Sequence, residues 1–130
     1  MIPAQLQGHP VTKILIVEDN EMNRDMLSRR LERKGYAVEC AVDGPQGISM
    51  AVSTMPDLIL MDVALGEMDG WEATTAIRAN PATTHIPVIA LTAHALESDR
   101  LRSIEVGCVD FETKPVSLPE LLSKIELHTR

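Results

Sequence analysis

The chain has 130 residues, which suits one compact domain and leaves no room for a second fold. Apolar residues make up 45% and charged residues 24%, and the aromatic side chains are Tyr36, Trp71 and Phe111, so we expect an aliphatic core. The net charge of −7 argues against a nucleic-acid partner, because such a partner requires clustered Lys and Arg.

Along the chain, residues 1–12 lack periodicity and predict a loose leader. Five apolar runs typical of strands follow: Lys13–Val17, Ala37–Ala41, Asp57–Met61, Pro87–Leu91 and Val109–Glu112. Nearly continuous apolar character predicts parallel strands that are buried on both faces. Because the runs alternate with helical patterns, the sequence predicts a single α/β domain over residues 13–130, with helices on both faces of the sheet.

The segments between the runs carry helical spacing. We predict apolar helix faces formed by three sets of residues: Met22, Met26 and Leu31; Ile48, Ala51, Val52 and Met55; and Leu118, Leu121, Leu122 and Ile125. Capping boxes are predicted for the pairs Asp43 and Gln46, Asp69 and Glu72, and Ser117 and Glu120. Gly35 and Gly107 are predicted to end helices.

Polar residues follow four of the predicted strands, where ligands bind in an open parallel sheet. They are Glu18 and Asp19 after the first strand, Asp62 after the third, Thr92 after the fourth and Lys114 after the last. Two carboxylates about 5 Å apart repel by roughly 3 kcal/mol at an effective dielectric constant of about 20. A protonated carboxyl, a lysine or a divalent cation would offset this repulsion, and an all-oxygen site suits Mg²⁺.

Taken singly, these residues have structural interpretations. Asp19 could cap a helix, Thr92 could end a strand, Lys114 could be a solvated lysine and Phe111 could be a core aromatic residue. Asp62 is harder to explain as a turn residue, because a second acidic cluster is predicted at the same edge. The combination therefore favours a functional site.

Five segments occur in an order that resembles the receiver domain of two-component signalling. They are Ile16–Asn20, Pro56–Asp62, Met68–Gly70, Ala90–Ala93 and Phe111–Pro115. The resemblance extends from about Lys13 to the end of the chain. It implies a flavodoxin-like (βα)5 fold with strand order 2-1-3-4-5.

The resemblance also implies a role for each matching residue. Asp62 would be the phosphoacceptor, and the chain would catalyse its own phosphorylation and dephosphorylation rather than turn over a separate substrate. Mg²⁺ would be held by Asp62, Asp19, the backbone carbonyl of Ala64 and, through water, Glu18. No other cofactor is implied.

The remaining implied roles concern the phosphoryl group and its effect. Lys114 would pair with a phosphoryl oxygen, and Thr92 would bind another and form a switch with Phe111. The peptide bond between Lys114 and Pro115 would be cis.

The implied donor of the phosphoryl group is a histidine kinase or a histidine phosphotransfer protein. Because no further domain follows the last helix in this sequence, we expect output through the face of the fourth helix, fifth strand and fifth helix, around Leu101 and Ile104. A weak homodimer through this face is a further expectation. The isolated Cys40 and Cys108, and the absence of a signal sequence or a bilayer-spanning apolar run, indicate the cytoplasm and no membrane partner.

One departure and three alternatives stay open. Leu65 and Gly66 stand where the family usually has Met-Pro, which predicts a freer active-site loop. A degenerate receiver could bind partners without phosphorylation. A Mg²⁺-dependent phosphatase of the haloacid-dehalogenase type is less favoured, since its Asp-x-Asp follows the first strand. A flavodoxin-like nucleotide-binding module would need a Gly-rich phosphate loop in place of Glu18 and Asp19.

Overall fold

A computed structural model describes residues 11–94 and 96–130, in which strands and helices alternate. The strands are β1 (Lys13–Val17), β2 (Ala37–Ala41), β3 (Leu58–Asp62), β4 (Val88–Thr92) and β5 (Asp110–Thr113). The helices are α1 (Glu21–Arg33), α2 (Gly44–Thr54), α3 (Gly70–Ala79), α4 (Glu97–Glu105) and α5 (Leu118–His128). Most of the predicted leader, residues 1–10, lies outside the described residues, so the leader stays a prediction.

The five strands form one parallel sheet in the order β2-β1-β3-β4-β5, which confirms the predicted fold class and strand order. Successive residues of the central strands point to opposite faces, so the sheet separates two apolar layers. One layer joins Leu15 and Ile59 to α2 and α3. The other joins Ile14 and Leu60 to α1 and α5. Within the described part of the chain, no helix is both long and apolar enough to cross a bilayer.

Three strands are displaced by one residue from their predicted bounds. The structure gives Leu58–Asp62 instead of Asp57–Met61, Val88–Thr92 instead of Pro87–Leu91, and Asp110–Thr113 instead of Val109–Glu112. The displacement arises because an apolar run indicates which residues are buried, whereas the end of a strand is set by where its backbone pairing ends. Asp62 still pairs with Leu91, and Thr92 with Thr113, so both polar residues belong to the sheet.

The buried faces of α1 and α2 match the predicted ones only in part: Leu31 and Ala51 are buried as predicted, but other residues are not. In α1, Leu27 and Leu31 are buried, but Met22 and Met26 are 78% and 46% exposed. In α2, the buried residues are Gly44, Gly47 and Ala51, while Val52 and the C-cap residue Met55 are exposed. A Cβ on Gly47 would lie 2.8 Å from the Val17 side chain, so α2 approaches the sheet at Gly47, a residue that an apolar pattern does not register. In α5, Leu121 and Ile125 are buried as predicted.

Two of the three predicted side-chain caps are present. Asp43 accepts a hydrogen bond from the Gln46 N–H, and Asp69 accepts one from the Glu72 N–H, both at 2.8 Å. Ser117 occupies the N-cap of α5 but makes no side-chain capping bond. Gly35 and Gly107 follow helices with φ angles of +95° and +105°, which glycine adopts without strain, so both predicted helix ends are confirmed.

Helix α5 is joined to the outer strand β5 by an ion pair and hydrogen bonds. Lys124 Nζ lies 2.7 Å from Glu112 Oε2 and also donates to the Phe111 carbonyl oxygen at 2.7 Å. His128 Nε2 lies 2.9 Å from Asp110 Oδ2. These contacts fix the last helix along the strand that carries Phe111.

The two cysteines are expected to differ in reactivity. Burial raises the pKa of Cys108 to about 11, although the Thr74 hydroxyl, 3.9 Å from its Sγ, lowers it slightly. At pH 8 this leaves roughly one thiol in a thousand ionised, against roughly one in four for an unperturbed cysteine. Burial also raises the pKa of the half-buried Cys40, but Cys108 is the more deeply buried thiol, so we expect iodoacetamide to modify Cys40 first. Peptide mapping of partly modified protein would measure this order, and equal modification of both thiols before unfolding would contradict it.

Candidate functional site

The carboxyl ends of the strands bring the predicted polar residues to one edge of the sheet. Asp62 and Thr92 are the last residues of β3 and β4, and Glu18 directly follows β1. The β1–β3 register pairs Val17 with Met61, so Glu18 and Asp62 are neighbours across the two strands. Lys114 directly follows β5 and reaches this pair.

Three carboxylates form an acidic pocket, which we define as Glu18, Asp19 and Asp62. One oxygen from each lies within 4.8 Å of the other two. Glu18 and Asp62 are each 3% exposed, whereas Asp19 is open to solvent. Opposite ligands of an octahedral Mg²⁺ lie about 4.2 Å apart, because each bond is about 2.1 Å long. The all-oxygen donor set therefore suits Mg²⁺, and the limit of 4.8 Å is close to the span of the ligands of one ion.

Lys114 supplies a positive charge to the acidic pocket. Its Nζ lies 2.7 Å from Glu18 Oε1 and 3.2 Å from Asp62 Oδ2. Burial alone lowers the pKa of Lys114, but the Glu18 hydrogen bond and the Asp62 charge outweigh burial and raise it. Burial and the adjacent Asp62 raise the pKa of Glu18, while Lys114 opposes them. With all four groups ionised, the site keeps two negative charges that a divalent cation would balance.

Backbone contacts hold the segment that carries Glu18 and Asp19. The Glu18 N–H donates to the Ala41 carbonyl oxygen at 3.1 Å, which continues the β1–β2 pairing by one residue. The Asn20 N–H donates to Glu18 Oε2 at 3.2 Å, and Asn20 Oδ1 caps α1 by accepting from the Asn23 N–H. Arg24 Nη1 donates to the Glu18 carbonyl oxygen at 2.9 Å.

Sequence reasoning missed Arg24. The signal was a basic residue near the start of α1, where the positive end of the helix dipole disfavours it. A second missed contact joins α3 to α4: Trp71 Nε1 donates to Ser103 Oγ at 2.9 Å, and the Arg102 guanidinium lies 5.2 Å from the indole centroid. Neither contact follows from a strand-end motif.

The loop after β3 is anchored at both ends. Leu65 is 7% exposed and belongs to the core layer below α2 and α3, so the predicted gain of freedom at Leu65 and Gly66 is offset by burial. Gly66 has open space around its Cβ position and no left-handed φ. Gly70 is confined, since a Cβ there would lie 2.2 Å from the Asp62 carbonyl oxygen. Ala64 is exposed, and its N–H donates to Asp62 Oδ1 at 3.1 Å.

The two predicted switch residues lie on neighbouring strands. Thr92 is 3% exposed, and its Oγ1 accepts a hydrogen bond from the His94 N–H at 3.2 Å. Phe111 pairs in register with Ala90, two residues before Thr92, so both side chains are on the same face of the sheet. The Phe111 ring is half-buried against the core. The peptide bond between Lys114 and Pro115 is cis, as expected.

Comparisons with known proteins all indicate one family. A sequence model of the response regulator receiver domain matches residues 14–126. The response regulator PleD of Caulobacter vibrioides is 38% identical over 118 residues, which are 91% of this chain and 26% of PleD. The chain thus spans about a quarter of that relative. The polar-differentiation response regulator DivK of Brucella anthropi is 37% identical over 113 residues, which are 87% of this chain and 92% of DivK.

Solved structures agree with the sequence comparisons. The receiver domain of the sensor histidine kinase PA1611 from Pseudomonas aeruginosa is 37% identical and superposes with a TM-score of 0.85 over 92% of this chain and 98% of that one. It is described with a magnesium ion coordinated in its active site cleft. The chemotaxis protein CheY4 of Vibrio cholerae is 29% identical, with a TM-score of 0.86 over 91% of this chain and 98% of that one.

Proposed function

The chain belongs to the response regulator receiver domain family of two-component signalling, and we propose that it accepts a phosphoryl group on Asp62 from a histidine kinase or a histidine phosphotransfer protein. One observation carries the proposal: the nearly buried Asp62 carboxylate lies beside two further carboxylates and the Lys114 ammonium at the carboxyl edge of the sheet. This arrangement concentrates a nucleophile, cation ligands and a phosphate-binding charge in one place.

The proposed step is an in-line displacement at phosphorus. An Asp62 carboxylate oxygen forms a bond to the phosphorus atom of a phosphohistidine as the phosphorus–nitrogen bond breaks. The bonding electron pair leaves with the imidazole nitrogen, which then takes a proton. Lys114, now paired with Glu18 and Asp62, is placed to pair with a phosphoryl oxygen during the transfer.

Asp19, Glu18, Asp62 and the Ala64 carbonyl would hold Mg²⁺, with Glu18 acting through water. When bound, the ion would neutralise charge on the phosphoryl oxygens. The exposed Asp19 is the ligand that solvent can reach, while the buried Glu18 is already joined to Lys114. These observations support Asp19 as a direct ligand and Glu18 as an indirect one.

Output would occur at the face formed by α4, β5 and α5. Leu101 and Ile104 on α4 are 53% and 51% exposed, and Leu127 on α5 is 53% exposed. Exposed aliphatic side chains of this size suit contact with a downstream protein or a weak homodimer. Lys124 on α5 donates to the Phe111 carbonyl oxygen, which supports a link between Phe111 and this face.

Intact-mass measurement after incubation with acetyl phosphate and Mg²⁺ would test the proposal directly. A receiver that is phosphorylated should gain the mass of one phosphoryl group, and the gain should depend on Mg²⁺. A folded chain that is never labelled by acetyl phosphate or by a kinase would favour the degenerate receiver instead. Steady turnover of phosphate esters would favour the phosphatase.

Replacing Thr92 with alanine should separate phosphorylation from its effect. We expect Thr92→Ala to accept the phosphoryl group at Asp62 but to lose at least half of the chemical-shift change at Phe111 and α5. The variant has no hydroxyl group at position 92 that could bond a phosphoryl oxygen and move towards it. NMR spectra with and without beryllofluoride would measure the response. Thr75→Ala, on the exposed face of α3, is the control. Equal responses in wild type and Thr92→Ala would refute the coupling.

A further inference from the structure

Arg24 occupies an unfavourable position for a cation. It is the fourth residue of α1, close to the N-terminus that carries the positive end of the helix dipole. Its side chain is half-buried, and among the described residues it forms no ion pair within 4.0 Å. Neither helix stability nor a salt bridge explains an arginine there.

Within the described part of the chain, the guanidinium instead bonds a single backbone atom. Arg24 Nη1 donates to the Glu18 carbonyl oxygen at 2.9 Å. That oxygen belongs to the peptide unit that joins Glu18 to Asp19. Because a peptide unit is planar, fixing its oxygen also fixes the direction in which the chain enters Asp19.

The surrounding contacts leave this peptide unit dependent on Arg24. The Glu18 N–H is held by Ala41, and the Asn20 N–H is held by the Glu18 carboxylate. These two bonds hold the peptide units before and after the Glu18–Asp19 peptide, not that peptide itself. Asp19 is exposed and has no core packing to fix its orientation.

We propose that Arg24 is a positioning residue for the acidic pocket, which holds the Glu18–Asp19 peptide so that the Asp19 carboxylate faces Glu18 and Asp62 before a cation binds. The inference rests on the proposed Mg²⁺ site, and it assigns to Arg24 no contact with the cation or the phosphoryl group. A ligand that is oriented in advance loses less freedom when the ion binds.

The two ways in which Arg24 can influence Mg²⁺ have opposite signs. As a positive charge near the acidic pocket, it repels the cation, so its removal would tighten binding. As a support for the Asp19 backbone, it favours the cation, so its removal would weaken binding. A purely structural role in α1 would change the stability of the fold and leave the affinity of the folded protein unaltered.

The experiment compares Arg24→Gln with Arg29→Gln. Arg29 is on the same helix, is exposed and pairs with Asp25, so its replacement changes the net charge equally without touching Glu18. Titration of Mg²⁺ followed by NMR should show a dissociation constant about 10-fold higher for Arg24→Gln. Arg29→Gln should stay within about 2-fold of wild type. Asp19→Asn, which removes the ligand itself, sets the scale of the largest loss.

Arg24→Lys retains the charge with a different donor and should bind Mg²⁺ with intermediate affinity; it also serves if Arg24→Gln does not fold. An affinity for either Arg24 variant equal to or tighter than wild type would overturn the proposal.

Backbone ¹⁵N relaxation of Asp19 and Asn20 without metal gives a second readout. The backbone of these two residues should be more mobile in the Arg24 variants than in wild type, and unchanged order parameters would overturn the inference. Failure of the wild type to bind Mg²⁺ would contradict the proposed function. The relaxation measurement needs no metal, so it tests the positioning role of Arg24 separately.

Discussion

Replacing Asp62 with asparagine is expected to abolish the phosphoryl adduct. The amide that replaces the carboxylate is a poor nucleophile. The neighbouring Glu18 is not expected to take over as phosphoacceptor, because Lys114 Nζ already pairs with its carboxylate at 2.7 Å. The fold should persist, because the variant removes one of the two carboxylates that repel each other beside Lys114. We expect a thermal midpoint equal to or above that of wild type.

Intact-mass measurement would check for the adduct, and circular dichroism would check the thermal midpoint. Asp57→Asn is the matched control, since Asp57 lies at the opposite end of β3 and accepts a hydrogen bond from the Lys13 N–H at 2.8 Å. This control should label as wild type does. Undiminished labelling of folded Asp62→Asn would remove Asp62 from the phosphoacceptor role.

Replacing Gly70 with alanine is expected to have the largest effect on stability and on the site together. The new Cβ would lie 2.2 Å from the Asp62 carbonyl oxygen and 2.9 Å from the Val63 Cα, and both are backbone atoms. The higher helix propensity of alanine, about 1 kcal/mol, cannot offset such a clash. We expect the free energy of unfolding to fall by about 2–4 kcal/mol and Asp62 labelling to slow.

Gly66→Ala provides the control for this prediction. It makes the same chemical change in the same loop, but no atom lies within 4 Å of the new Cβ and no left-handed φ is required. Its free energy of unfolding should stay the same or rise by up to about 1 kcal/mol, because alanine restricts the unfolded chain. Urea denaturation of the two variants would measure the contrast, and equal stabilities would show that the loop moves to relieve the Gly70 contact.

The sequence predicted the sheet because its central strands are buried on both faces. Residues such as Ile14, Leu15 and Leu60 are fully buried and form continuous apolar runs. Runs of this kind predict parallel strands that helices cover on both faces. The strand-end residues Glu18 and Asp62 then meet because the carboxyl ends of parallel strands meet. Strand order came from the family resemblance, since the apolar pattern does not say which strands are neighbours.

The errors occurred where packing depends on small or amphipathic residues. Gly47 places α2 against Val17, and no apolar scale assigns weight to a glycine. Met22 and Met26 have the spacing of a buried stripe but lie on the outer side of α1. Arg24 acts on a backbone oxygen six residues earlier, and a pattern of side-chain types contains no information about such a contact.

The polar contacts between β5 and α5 bear on whether another strand can be added at this edge of the sheet. β5 is an outer strand of the sheet, and outer strands can recruit a strand from another molecule. Its four residues include Asp110 and Glu112, whose carboxylates are held by His128 and Lys124. Both carboxylates are directed towards α5, and inward-pointing charged residues of this kind are one means by which outer strands discourage the addition of another strand. The chain can therefore offer exposed aliphatic residues to a partner while its outer strand resists growth into an extended sheet.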